Sequence, residues 1–412
     1  MKPKKGFFTI LILGLLSAIG PFSIDMYLPG FPGIAADLHT TVAEVSLSLS
    51  SFFIGICFGQ FLYGPLLDRY GRKPPLYAGL ILYLLASGGC IFVTSVNILV
   101  LLRLVQGLGG CAGMVAARAY VRDLYPVDQI AKMFSMLMLL IAISPIIAPT
   151  AGGFIATHFG WQYIFVFLFF MAAFLITSMH LVLPAGRQPD TGLSLRPISI
   201  TRNFLSVIKN KQFATYALTG AFAAAGLYAY IAGSPHVFME LYRITEQQYG
   251  WIFAIIAMGL IIASQFNSLL LRRFASNQII RIALICQVGT AVIMCTGVMS
   301  GAFNVNGIII CIFCFLACQG FTFPNSSALS LTPFERNAGT ASALMGAIQM
   351  GIGTISSALV SVMSNNNAVP MTVTMLCCSA TALIILLTGR RILHKANKQD
   401  AMEQAVDTII TS

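Results

Sequence analysis

Charge is what this sequence lacks. Asp, Glu, Lys and Arg make up 9% of the 412 residues, against 57% hydrophobic ones, whereas an ordinary soluble domain is about a quarter charged. Water is thereby excluded as the main solvent. No polar stretch is long enough to house a soluble catalytic or signalling domain, which weighs against a membrane receptor, scaffold or enzyme. No glycine-rich phosphate loop occurs either, so neither ATP nor any other cofactor is expected.

Carboxylates are scarcer than cations, 13 against 24, giving a net charge of +11. Nucleic-acid binding would need a basic face on a folded domain. Here the cations sit in short connectors, where they serve membrane orientation instead. The 10 cysteines all fall in apolar segments and read as small packing residues. Cys311, Cys314 and Cys318 share a helical spacing, but no His or carboxylate joins them, so no metal is expected.

What the chain has is apolar length, again and again. A bilayer core about 30 Å thick takes about twenty apolar residues in helical form. Such runs lie near 7–29, 45–67, 75–95, 98–120, 131–156 and 161–183, then near 212–236, 248–271, 278–300, 305–331, 337–363 and 369–389. Met1 to Lys5 followed by the first run looks like a signal peptide, but no convincing small-residue cleavage site follows, so the run is expected to stay as a span. The predicted fold is an all-α polytopic membrane protein with about twelve transmembrane helices. Its parts are an N-terminal six-helix bundle (1–183), a cytoplasmic linker (184–211), a C-terminal six-helix bundle (212–389) and a cytoplasmic tail (390–412).

Of the 24 Lys and Arg, 22 lie in the tail and the loops on its side, counting Arg118 at a span end. Arg103 is inside a span and Arg243 alone falls opposite, which places both termini in the cytoplasm. The linker carries Arg187, Arg196, Arg202, Lys209 and Lys211. An internal repeat supports the division: Gln106-Gly107 of span four recurs as Gln319-Gly320 of span ten. After it, Pro126-x-Asp128-x-x-Ala131-x-x-x-Ser135-x-Leu137-Met138 recurs as Pro333-x-Glu335-x-x-Ala338-x-x-x-Ser342-x-Leu344-Met345. Two parallel copies suit alternating access at a midplane site.

Twelve of the 13 acids fall in loops, in the tail or at span ends; only Asp25 lies inside a span. A carboxylate in hydrocarbon costs several kcal/mol (about 2.5–3.5 on insertion scales) unless protonated or paired, so such residues mark ion or proton pathways. The plainer alternatives for Asp25 are a permanent structural pair or a place at the outer interface, since Pro29 follows closely. Arg103 is at similar depth, with Gln106 one turn on, and Asp25 is its only acidic partner inside the first half. A static bridge and a bridge broken by protonation are both open.

Gly64-x-x-x-Asp68-Arg69-Tyr70-Gly71-Arg72-Lys73, between spans two and three, joins a turn-permitting glycine to a carboxylate and cations, which suits a gate as well as orientation. In span five, Pro145, Pro149, Gly152 and Gly153 combine helix disturbance with close approach, a bend or a pivot sealing the outer side. Gly339, Gly346, Gly351 and Gly353 give span eleven a similar face. Phe22, Tyr27, Phe222, Tyr228 and Tyr230 supply aromatic surface near the expected cavity, suited to flat, apolar or cationic compounds; packing is the plainer role. His180 and His236 are weaker candidates for proton relay.

The loop from Gly64 to Lys73 resembles the signature of the major facilitator superfamily. With Ile24-Asp25-Met26-Tyr27-Leu28-Pro29, Arg103-x-x-Gln106-Gly107, Arg122-Asp123-x-Tyr125-Pro126 and the Pro145/Pro149 segment, the chain is similar to the bicyclomycin-resistance (Bcr/CflA) drug exporters over nearly its whole length. The resemblance implies proton-coupled efflux of small amphipathic drugs, of bicyclomycin, chloramphenicol or sulfonamide type, across the bacterial inner membrane, by a monomer whose other partners are protons and lipid. Proton coupling is expected at Asp25 and Arg103, and substrate contact at Asp25, Tyr27, Gln106, Tyr228 and Tyr230. Some related exporters carry a second acid two turns earlier, where this chain has Ser17. The alternative on the same scaffold is proton-coupled transport of a small polar metabolite such as a sugar or amino acid.

Overall fold

The computed structural model describes residues 3–186, 189–190, 204–334, 338–364 and 367–411. The helices are α1 (Pro3–Asp25), α2 (Phe31–Asp37), α3 (Val42–Arg69), α4 (Lys73–Ile91), α5 (Val96–Leu124), α6 (Val127–Phe159) and α7 (Gln162–Val182). A short helix, α8, covers 204–208. Then follow α9 (Lys211–Pro235), α10 (Glu246–Leu270), α11 (Ser276–Met299), α12 (Val305–Leu331), α13 (Ala338–Met363) and α14 (Val369–Thr411). Among the described residues, 12 helical segments are long and apolar enough to cross a membrane. With no water in the hydrocarbon, each satisfies its own backbone. Large side chains such as Phe58, Phe92, Phe170 and Phe174 stand exposed on the outside, a lipid-solvated surface that would aggregate in water.

The first crossing does not stop near residue 29. A 3-10 turn, Leu28–Gly30, joins α1 to α2, because Pro29 and Pro32 lack the N–H an unbroken helix needs yet fit the first turn of a new one. The crossing reaches Asp37, so Asp25 is deeper than the sequence suggested. Span four runs on to Leu124, which puts Arg122 on its helix instead of in a loop. Helix α14 continues past 389 to Thr411. Arg187, Arg196, Arg202 and Glu335 lie outside the described residues.

Helix starts are capped locally: the side chains of Thr41, Asn210, Thr245 and Asn304 accept from backbone N–H groups three residues on, filling donors a helix leaves open. The repeated Gln-Gly does the same work twice. A Cβ at Gly107 would strike the Phe52 carbonyl of α3, and one at Gly320 the Leu260 carbonyl of α10. Each glycine lets span four or ten of the series lie against the backbone of its neighbour.

Twelve crossings bring the last helix back to the end where the first began; the opposite end is called distal below. Between the first six and the last six crossings, α3 packs along α13 and α6 along α10, with α9 touching α3 and the Leu28–Gly30 turn. One large core reaches from the first six helices into the distal parts of α9 to α14, while two small cores lie toward the other end, one around Tyr216 and one around Phe213 that takes in Phe61 of α3. The halves are knitted together distally.

Candidate functional site

Asp25 closes α1. Its helix ends there because the Ser23 carbonyl, which would accept from Tyr27 in a continuing helix, instead accepts from Arg103 Nη2 at 2.9 Å. The Asp25 side chain is 5% exposed, and among the described residues it makes no hydrogen bond or ion pair. Its charge is felt by the phenols of Tyr228 and Tyr230 on α9 and of Tyr249 on α10. The carboxylate is therefore buried within reach of the second half.

Arg103 does not pair with it. The guanidinium donates to Gln106 Oε1 at 2.5 Å and to the Ser23 carbonyl, and lies over the rings of Tyr27 (4.4 Å) and Phe52 (4.2 Å). It is fully buried, with Nε unpartnered. Two ring faces and two acceptors replace a counter-ion, an arrangement that favours the flat cation of Arg.

Tyr27 and Gln106, expected to line the substrate cavity, are instead committed inside the first bundle. Tyr27 donates to or accepts from Ser48 at 2.7 Å and packs on Phe31 and Phe165; Gln106 bridges Arg103 and, at 2.7 Å, Ser87 Oγ. Tyr83 and Ser23 extend the same network at 2.6 Å. In the second half Leu316 stands where the repeat would put Arg103, and the Gln287 and Gln319 amides, 3.5 Å apart, echo Ser87 and Gln106. Only the first copy carries the cation.

Facing Asp25 is an aromatic wall drawn from both halves. Tyr228 meets Phe53 of α3 edge-on at 4.9 Å, and Tyr230 stacks on Phe253 at 5.5 Å. The Tyr230 hydroxyl is buried with no partner. Phe222 packs in the separate core near Tyr216, and Phe22 packs against the large one; neither joins the wall.

The Major Facilitator Superfamily model matches residues 13–358. The chain belongs to the Major Facilitator Superfamily. It is 32% identical to a Bicyclomycin resistance protein homolog of Haemophilus influenzae, over 94% of this chain and 98% of that one. It is 26% identical to Multidrug resistance protein D of Escherichia coli (87% and 89% covered) and 26% identical to a Chloramphenicol resistance protein of Pseudomonas aeruginosa (92% and 89%). Among solved structures, a D-xylose–proton symporter superposes with a TM-score of 0.73 at 14% identity, over 92% of this chain and 97% of that one, which speaks for the fold alone.

In this superfamily member the signature loop is a clasp. Arg72 reaches Asp68 Oδ1 at 2.6 Å and Asp123 at 2.6 and 3.2 Å. Burial opposes the Arg72 charge, but Asp123 and Asp68 more than offset it and hold the guanidinium above its usual range. Gly71 turns the loop at φ +81°, Arg69 lies over Tyr70, Lys73 opens α4, and Gly64 faces open space. The start of the linker is pinned here too: Asp190 N–H donates to the Asp68 carbonyl at 3.1 Å and Tyr120 OH to the Pro184 carbonyl at 3.3 Å.

The span-five residues meet both halves. Pro145 leaves the Ile141 carbonyl without its helical donor, and Ser144 Oγ fills it at 2.9 Å. A Cβ at Gly152 would strike the Met26 carbonyl one residue from Asp25. One at Gly153 would sit 2.6 Å from the Glu246 carbonyl, while Gly250 of α10 presses on the Pro149 carbonyl. Gly339, Gly346 and Gly351 approach Arg122, Gln60 and Cys57 of the first half, but Gly353 makes room for Tyr228. His180 pairs with Tyr77 at 3.0 Å and His236 with Glu240.

Sequence reasoning missed Asp123 as the second acid of the clasp, although it stood in a quoted motif. It also missed the serines of α3 and α13, whose only signal was a shared four-residue spacing.

Proposed function

We propose that the chain is a proton-coupled drug exporter of the inner membrane, with both termini in the cytoplasm and the distal end in the periplasm. The observation that carries this reading is Asp25: buried, unpaired and turned toward the phenols of the opposite half, in a chain similar to drug-resistance proteins. A lone carboxylate there can hold a proton or a drug, not both. A proton arriving from the periplasm neutralises it, drug leaves outward, the halves rock back, and loss of the proton to the cytoplasm readies the site again.

One proton moving inward contributes about 2.3 kcal/mol per 100 mV. The aromatic wall of Tyr228, Tyr230 and Phe53 suits flat amphipathic compounds, neutral or weakly cationic, better than sugars. Arg103, with Tyr27 and Gln106 as its supports, acts as a positioning residue that fixes the Ser23 carbonyl and so the end of α1. Pro149, Gly152 and Gly153 form the pivot, and the Arg72 clasp steadies the cytoplasmic side.

The test is reconstituted Asp25→Asn in proteoliposomes, with chloramphenicol added and proton release recorded. Loss of drug-driven release is expected; release equal to that of the unaltered chain would take Asp25 out of the mechanism. Growth on one sugar or amino acid that depends on the chain would favour the metabolite reading.

A further inference from the structure

We propose that a seam of four serines between α3 and α13 is the gate that parts when the central site turns to the distal side. The inference rests on the alternating-access reading above. Ser50 and Ser357 meet hydroxyl to hydroxyl at 2.8 Å, and one turn away Ser361 Oγ donates to Ser46 Oγ at 2.9 Å. Ser46 in turn donates to the Ala232 carbonyl of α9 at 3.0 Å. The pairs 46/50 and 357/361 are spaced by four on antiparallel helices, so the rungs stack on one face of each.

All four side chains are buried, and each belongs to a different half from its partner. The other serines on the same stretch of α3 do something else: Ser48 bonds Tyr27, and Ser51 bonds the Val100 carbonyl, both within the first half. Two serine faces therefore share one helix, one fixing the bundle and one meeting its neighbour.

Hydroxyls suit a joint that must break. A serine in a helix can turn its O–H back to a carbonyl three or four residues earlier, and the Ser357 carbonyl lies 2.9 Å from Ser361 Oγ, an alternative acceptor for its single O–H when Ser46 moves away. When the rungs separate, hydroxyls of this kind have a helix carbonyl to turn to and no charge is stranded. An ion pair in the same place would leave two buried ions behind.

The position fits the task. One turn below the rungs, Phe53 meets Tyr228, and Ala232 lies two residues from Tyr230, so the seam roofs the wall facing Asp25. Beside it, α6 and α10 meet backbone to backbone at Gly153 and Gly250, with Thr157 Oγ1 donating to the Glu246 carboxylate at 3.2 Å across the same contact. The two faces can draw apart together.

The experiment uses the full chain as the double variant Ser50→Cys/Ser357→Cys in proteoliposomes, oxidised with copper phenanthroline, the cross-link located by peptide mass because native cysteines are present. Chloramphenicol-driven proton movement is expected to be lost on oxidation and restored by dithiothreitol, with either single variant indifferent to the oxidant. A cross-linked protein that turns over at the reduced rate would overturn the proposal.

A second readout needs no drug. Ser357→Cys alone should be labelled from the distal face by a membrane-impermeant maleimide, and labelling should quicken several-fold when Ser46→Ala and Ser361→Ala are added. Labelling that never reaches position 357, or whose rate ignores those changes, means the seam is static and refutes the gate. If labelling behaves as expected but no drug moves, the seam stands and the export reading falls.

Discussion

Arg103 and Asp25 are two buried charges of opposite sign, and each solves its burial without the other. Arg103 is held by rings and carbonyls that belong to the fold; Asp25 makes no hydrogen bond or ion pair among the described residues. Replacing Arg103 by Leu, the residue of the second copy, should abolish drug-driven proton release and also lower the thermal midpoint, since the buried Ser23 carbonyl and Gln106 Oε1 lose their donor. Melting followed by tryptophan fluorescence, beside the transport assay, separates the two effects. Arg103→Lys should also fail, because an ammonium cannot hold two acceptors and lie between two ring faces. Tyr228→Ala removes one ring from the aromatic wall, and loss of a ring contact of about 1 kcal/mol to a bound aromatic drug should lower drug affinity roughly 5-fold, read by quenching or radioligand binding. Tyr230→Phe removes a hydroxyl without a partner, so stability should hold or rise while the range of drugs accepted narrows.

At the level of helices, the arguments turn on how closely backbones approach. Gly152→Ala drives a methyl into the Met26 carbonyl and should cost about 1–3 kcal/mol of stability, with the end of α1 displaced; Gly64→Ala, facing open space, should cost nothing measurable. A thermal-shift comparison of the two variants in detergent checks the contrast. The helices themselves were legible in sequence because apolar length is a local property, and the two-copy plan was legible because Gln-Gly recurs with its surroundings. The break after Asp25 was not: Pro29 and Pro32 read as the end of a span, and only the packing of α2 reveals that the crossing resumes. Asp25 could be picked out by its charge in an apolar run. Its orientation could not, because the phenols it faces are some two hundred residues away in the other copy. That Tyr27 and Gln106 pack inside the first bundle was not legible for the same reason, since an aromatic and an amide beside a charge suggest a cavity equally whether they point to its lumen or to the bundle interior. Serines 46, 50, 357 and 361 carry no charge, ring or motif, so nothing marked them before their partners were placed.

For the whole molecule, the clasp of Asp68, Arg72 and Asp123 ties three crossings and the start of the linker to one point at the end opposite the serine seam. Asp123→Asn should loosen it more than Asp68→Asn, because Asp123 is nearly enclosed and meets Arg72 twice while half of the Asp68 side chain is in water. Limited proteolysis of the connector in membrane vesicles should show faster cutting in the first variant. Because the folded chain holds Arg72 above the usual guanidinium range, the stabilisation from its charge is complete at neutral pH and is lost only as pH climbs past that range. Raising pH from neutral to mildly alkaline should therefore leave connector cutting unchanged, while transport responds through Asp25.

The presence of Asp25 in the first copy and of Tyr228, Tyr230 and Tyr249 in the second has a consequence for how such a molecule can be rebuilt. A chain made of the first six crossings fused to themselves would carry Asp25 twice and lack Tyr228, Tyr230 and Tyr249. On the proposed reading, function depends on the copies differing, one carrying the ionisable group and the other presenting it with a surface, so the halves should complement each other when expressed as separate polypeptides and fail when either is doubled.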